Sequence, residues 1–125
     1  MKLLFVAAVV VLVGLIDANA YAYRAPTKTE RRQIVAAIFD KQRRNDCHSI
    51  RTCHPHISHI RVSLANTRYA SATISVRGYE DALALLHKRY GTWRVTDVGS
   101  SQYVGCGKAP KAVRVDLELT CPDGK

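Results

Sequence analysis

Residues 82–87 read Ala-Leu-Ala-Leu-Leu-His. An unbroken apolar run of this length is the pattern of a strand covered on both faces. Outward from it the period becomes two. Upstream, Ala70, Ala72, Ile74 and Val76 alternate with Tyr69, Ser71, Thr73 and Ser75. Further upstream, Ile60, Val62 and Leu64 alternate with His59, Arg61 and Ser63. Downstream, Trp93, Val95 and Asp97 alternate with Arg94, Thr96 and Val98 up to Gly99. Asn66-Thr67, Gly78 to Asp81 and Tyr90-Gly91-Thr92 separate these runs as turns. Four short strands joined by tight turns predict an antiparallel meander.

A helix is predicted before the meander, over residues 27–44. Thr27 and Glu30 have the spacing of a capping box, in which each side chain satisfies a backbone donor of the first turn. Ile34, Val35, Ile38 and Phe39 recur at helical spacing, and Lys41, Arg43 and Arg44 sit where the helix dipole favours cations. Residues 21–26 read as an extended leader. The segment after Gly99 is ambiguous. Val113, Val115, Leu117 and Leu119 alternate with Arg114, Asp116 and Glu118 as in a strand. Ala109-Pro110 followed by Val113 and Leu117, four apart, fits a short helix with proline near its start. The expected fold is α+β, with the N-terminal helix packed on a four-stranded antiparallel meander and a short C-terminal helix or strand at the end. That is the layering of cystatin-like and related folds, an analogy of layers that implies no activity.

The first residues belong to a different grammar. Lys2, an apolar run from Leu3 to Ile16, and Asp17-Ala18-Asn19-Ala20 follow the order of a secretory signal peptide with cleavage after Ala20. The run is shorter than the ~20 apolar residues of a membrane span, so no transmembrane segment is expected in the mature form. Residues 1–20 are therefore expected to be a signal peptide and residues 21–125 a single secreted, basic, disulfide-bonded domain. Lys2 and Asp17 cancel, so its net charge remains +9. Cys47, Cys53, Cys106 and Cys121 all lie in that part. An even count in an oxidising compartment predicts two disulfides. Three pairings are open; the local pairs Cys47–Cys53 and Cys106–Cys121 are favoured because each closes a loop flanked by turn residues.

Three features bear on chemistry. The stretch 47–59 holds Cys47, Cys53, His48, His54, His56 and His59, residue types that bind zinc or copper. Its spacing matches no structural zinc pattern, and a disulfide-pinned loop with exposed histidines is the expected outcome, with neither metal nor cofactor. Charge is the second feature. Arg31, Arg32, Lys41, Arg43, Arg44 and Arg51 lie in or just after the helix, and Lys88, Arg89 and Arg94 flank a turn. Such a surface attracts an anionic extracellular polymer or surface. Specific nucleic-acid binding is not expected, because aromatic residues do not interleave with the cations as a stacking platform requires. The third feature is Glu80, Asp81 and His87, in or beside one hairpin. A carboxylate and a histidine with arginines nearby are the groups of a small secreted hydrolase such as a ribonuclease. No G-x-S-x-G, H-E-x-x-H or P-loop occurs. A non-enzymatic interaction module with a basic surface is the leading expectation.

Arg68-Tyr69-Ala70, Ala82 to His87, Trp93-Arg94-Val95 with Gly99-Ser100-Ser101, Gly105-Cys106, and Val113, Asp116, Leu117 and Cys121 follow one order. In that order the chain resembles uncharacterised small secreted proteins of actinobacteria, over about two-thirds of residues 21–125. The resemblance implies secretion, a Cys106–Cys121 bond and a helical final segment. It implies no activity and does not extend to the histidine-rich loop.

Overall fold

The computed structural model describes residues 22–45, 55–100 and 103–122, the side chains of residues 43–45 excepted. The elements run β1 (Tyr23–Arg24), α1 (Lys28–Asn45), β2 (His56–Ser63), β3 (Tyr69–Ser75), β4 (Ala82–Arg89), β5 (Thr92–Gly99) and α2 (Lys111–Asp116). The strands form one antiparallel sheet in the order β1-β2-β3-β4-β5. The fold is α+β. The sheet has five strands rather than four. Tyr23 and Arg24, expected as an extended leader, pair with Ser63 and Val62, and the Leu64 amide donates to the Ala22 carbonyl at 2.9 Å. A two-residue strand is too short to show a period, and Pro26, which lacks an amide proton, stands between it and the helix.

At the start of α1 the Thr27 amide donates to Glu30 Oε1 at 2.9 Å, and the Glu30 amide donates to Thr27 Oγ1 at 3.1 Å. Arg24 joins this capping box, its guanidinium donating to both Glu30 oxygens at 2.7 and 3.0 Å. Ile34 and Ile38 are fully buried; Phe39 lies at the exposed margin. The two isoleucines pack with Val62, Ala70, Ala72, Ala84, Leu86 and Trp93 of the sheet, where the three alanines leave room for the helix. Trp93 is thus a core residue.

A second core lies on the opposite face. Tyr69 and Leu85 pack there with Val104, Val113, Leu117 and Leu119. Leu85 and Leu86 are neighbours in sequence, face opposite ways and are both fully buried. The sheet therefore has two apolar faces, not the single one that a helix-on-sheet layering assumes. Leu64, expected to point inward, lies past the end of β2 and is exposed.

The C-terminal ambiguity resolves to helix. Val113, Asp116 and Leu117 are buried while Val115 is 67% exposed, a spacing of three and four rather than two. Glu118 (φ 56°) ends α2 in a left-handed conformation. The Leu119 amide donates to the Arg114 carbonyl at 2.8 Å and the Glu118 amide to the Val115 carbonyl at 3.2 Å, the paired bonds of a Schellman motif. Asp116 ties the helix to the sheet: Ser63 Oγ and the Ala65 amide each donate to its Oδ2 at 2.7 Å. Arg61 pairs with Glu118 at 2.9 Å, and Cys106 is bonded to Cys121, fifteen residues on. Cys47 and Cys53 lie outside the described residues, as does the segment expected to be a signal peptide.

Two irregularities aim residues. One extra residue enters β2 between Ser58 and Arg61, where His59 has φ 50°; Ile57 and Ile60, three apart, thereby share the helix-facing side. The other lies in β5, where Leu85 faces Asp97 and Leu86 faces Val95. It turns Asp97 away from the Val95 side, and Asp97 Oδ2 accepts the Gly105 amide at 2.8 Å.

Removing Asp116 leaves the Ala65 amide without its acceptor in a part-buried site. Asp116→Ala is expected to lower unfolding free energy by about 1–3 kcal/mol, measured by urea denaturation. Replacing Cys106 and Cys121 together by serine is expected to cost about 3 kcal/mol by the chain-entropy relation for a loop of this size.

Candidate functional site

β4 and β5 are joined by Tyr90-Gly91, with φ 50° and 75°. Two successive positive φ values belong to the mirror-type turn that suits a twisted hairpin, and Gly91 takes its conformation without a Cβ penalty. Arg89 and Thr92 face each other across this turn. On the neighbouring side the Lys88 amide donates to the Arg68 carbonyl at 2.7 Å. Arg68, Lys88 and Arg89 thereby meet at one end of the sheet. With Thr67, His87, Tyr90 and Glu30 they line an open depression.

His87 is held in place there. Its ring stacks on Tyr69 with centroids 4.1 Å apart and an interplanar angle of 5°. Arg89 Nε–H donates to His87 Nδ1 at 3.3 Å, which assigns the ring proton to Nε2. Burial, then the Arg89 and Arg68 charges, hold the imidazole below its ordinary pKa of 6.5. In register, His87 stands between Tyr69 on β3 and Arg94 on β5. Among the described residues Arg68, Lys88, Arg89 and Arg94 have no carboxylate partner, whereas Arg24, Arg61 and Lys108 are paired with Glu30, Glu118 and Asp97. Lys88 Nζ lies 5.9 Å from the centroid of the Trp93 ring. The one carboxylate lining the depression, Glu30, is engaged by Arg24. That hydrogen bond is the main cause that holds Glu30 down to about 2, too weak a base to take a proton from a hydroxyl near neutral pH.

The acid–base set expected from the hairpin is not assembled. Glu80 and Asp81 precede β4 and His87 lies near its far end, about 20 Å away at ~3.3 Å per residue. Glu80 lines a different cleft of about 540 Å³, with Ile38, Lys41, Gln42 and Tyr79. Of the histidine-rich stretch, His56 opens β2 opposite Ser75 and is exposed. His59 sits in the bulge, with Nδ1 3.1 Å from Ser58 Oγ. His48 and His54 lie outside the described residues, and among the described residues no three His, Cys, Asp or Glu side chains gather as for a metal ion. No helix among them is long and apolar enough to cross a membrane.

The expected polyanion-binding residues divide. Arg31, Arg32 and Lys41 are exposed on α1; none of them lines the depression, and Lys41 lines the cleft that holds Glu80. The side chains of Arg43 and Arg44, and Arg51, lie outside the described residues. Arg68 and the Tyr69–His87 stack are what sequence reasoning missed. The turn at Asn66-Thr67 followed by an antiparallel register was the available signal. No protein-family model matches the chain, and neither a curated protein nor a solved structure matches it.

The unfolded chain's histidine protonates near 6.5 while the folded one resists. Stability from His87 is thus full above pH 6.5 and falls as pH drops through the window between the two values. An NMR titration of the His87 ring is expected to give a midpoint below 6.5 that moves upward in Arg89→Ala. A midpoint unchanged by that substitution removes Arg89's charge as a cause.

Proposed function

We propose that the chain is exported and acts as a non-enzymatic binding module for an anionic extracellular polymer carrying phosphate or sulfate groups. The observation that carries this reading is that Arg68, Lys88, Arg89 and Arg94, none of them paired with a carboxylate among the described residues, lie at one end of the sheet. Clustered charge of one sign raises the local concentration of a polyanion, and each neutralised group releases a counterion. Export is supported by the order of charged, apolar and small residues over positions 1–20 and by the Cys106–Cys121 bond.

Binding is favoured over hydrolysis because His87 stands among cations and, among the described residues, the carboxylate lining the depression, Glu30, is engaged by Arg24. Retention of the protein on immobilised polyphosphate or heparin is expected to fall steeply with salt. The triple substitution of Arg68, Lys88 and Arg89 by alanine is expected to reduce the log–log salt slope by about 2–3. Binding that does not change between low and high salt would contradict the proposal. RNA cleavage by the folded protein that disappears in His87→Ala would replace it with the hydrolase alternative.

A further inference from the structure

We propose that the depression beside His87 is a subsite for a single tetrahedral oxyanion, a phosphate or sulfate ester group, gripped by Arg68, Arg89 and His87 Nε2–H. This rests on the polyanion reading above and assigns it a point of contact. Three observations converge on it. Arg68, in the turn before β3, and Arg89, at the end of β4, both line the depression, and Lys88 N–H donating to the Arg68 carbonyl at 2.7 Å joins the two backbones there. The imidazole is pinned by the stack on Tyr69 and by Arg89 Nε, so its only free hydrogen-bonding group is the Nε2 donor. The region holds an excess of positive charge with no internal counterion, because Glu30 is already bound by Arg24 and Thr27.

Among the described residues, Arg68 and Tyr69 stand beside His87 from the β3 side, Arg89 from its own strand and Arg94 from β5, while Lys88, whose ammonium lies over Trp93, and Glu30 line the rest of the depression. Burial and the charges of Arg89 and Arg68 oppose protonation of the imidazole. An oxyanion seated among them offsets that opposition, and when Nδ1 takes up a proton the Arg89 Nε–H bonded there is released to the anion. Binding and protonation of His87 are therefore linked, and each strengthens the other. The subsite would hold its ligand more tightly in mildly acidic surroundings than at neutral pH.

Inorganic sulfate is the cleanest probe, because its charge is constant between pH 5 and 8 and any pH dependence belongs to the protein. The expected result is an upward shift of the His87 titration midpoint on adding sulfate. A shift of about one unit corresponds to about a tenfold gain in affinity at low pH over high pH. Arg68→Ala and Arg89→Ala should each abolish the sulfate-induced shift, and His87→Gln should bind sulfate without pH dependence. Arg77→Ala, in the exposed turn at the opposite end of the sheet, should leave the shift in place. Inorganic phosphate and vesicles with anionic headgroups, run in parallel, distinguish the sources of the group. A His87 midpoint that sulfate leaves unmoved, or a shift that survives Arg89→Ala, overturns the subsite. Column retention of the wild type with an unmoved His87 would sink the subsite alone, and a sulfate-shifted His87 without retention would sink the polymer reading alone.

Discussion

The structure depends on burying β4 from both sides. Leu85 and Leu86 are adjacent, point in opposite directions and are both withdrawn from water, so the sheet needs two covers. Fully burying a leucine stabilises by about 1.5–3 kcal/mol, and either face left open would forfeit that together with its neighbours' share. α1 supplies one cover with Ile34 and Ile38. The other is a short stretch around α2, whose six helical residues could not stand alone in water. Its order is imposed from outside by the Cys106–Cys121 bond, by Asp116 on Ser63 and Ala65, by Glu118 on Arg61, and by Gly105 on Asp97.

That demand explains where the carboxylates are. Glu30 closes the start of α1, Asp97 receives the chain as it returns over the sheet, Asp116 anchors α2 and Glu118 fixes its end. Each is engaged in holding one element to another. In a chain with nearly twice as many basic as acidic residues, using four carboxylates in this way leaves cations uncompensated elsewhere. The Tyr90-Gly91 turn and the backbone bond from Lys88 to Arg68 bring three of them, Arg68, Lys88 and Arg89, to one end of the sheet. A basic surface is thus partly a consequence of how the second cover is fastened.

The layers were legible in the sequence to the extent that periodicity carried them. The run at 82–87 and the alternations on either side mark the central strands, and Thr27 with Glu30 marks the helix start. What escaped did so for physical reasons. β1 is too short to have a period. The residue inserted at His59 breaks the parity between Ile57 and Ile60, which hides the first half of β2. The second core was hidden because Val113, Val115, Leu117 and Leu119 satisfy a period of two, while only Val113, Asp116 and Leu117 reveal helical burial, and one of those is charged. An aspartate at a core position reads as polar until its partners, Ser63 and the Ala65 amide, are known. The candidate site was legible in composition and illegible in geometry. Lys88, Arg89 and Arg94 announce a basic turn, but only the register places Arg68 and Tyr69 beside His87, and the same register removes Glu80 and Asp81 to the other end of the strand.

That register also decides what His87 can do. A histidine paired with a carboxylate has its charged form stabilised and can shuttle protons for a reaction; the part-buried His87, flanked by Arg89 and Arg68, has its charged form opposed by burial and by both arginines. The same two arginines that oppose the proton would attract an anionic group. The strand pairing and the second core hold β3 and β4 side by side, and with them Arg68 and Arg89 at one end of the sheet. Both arginines are exposed, so a ligand can reach them without displacing any part of the fold.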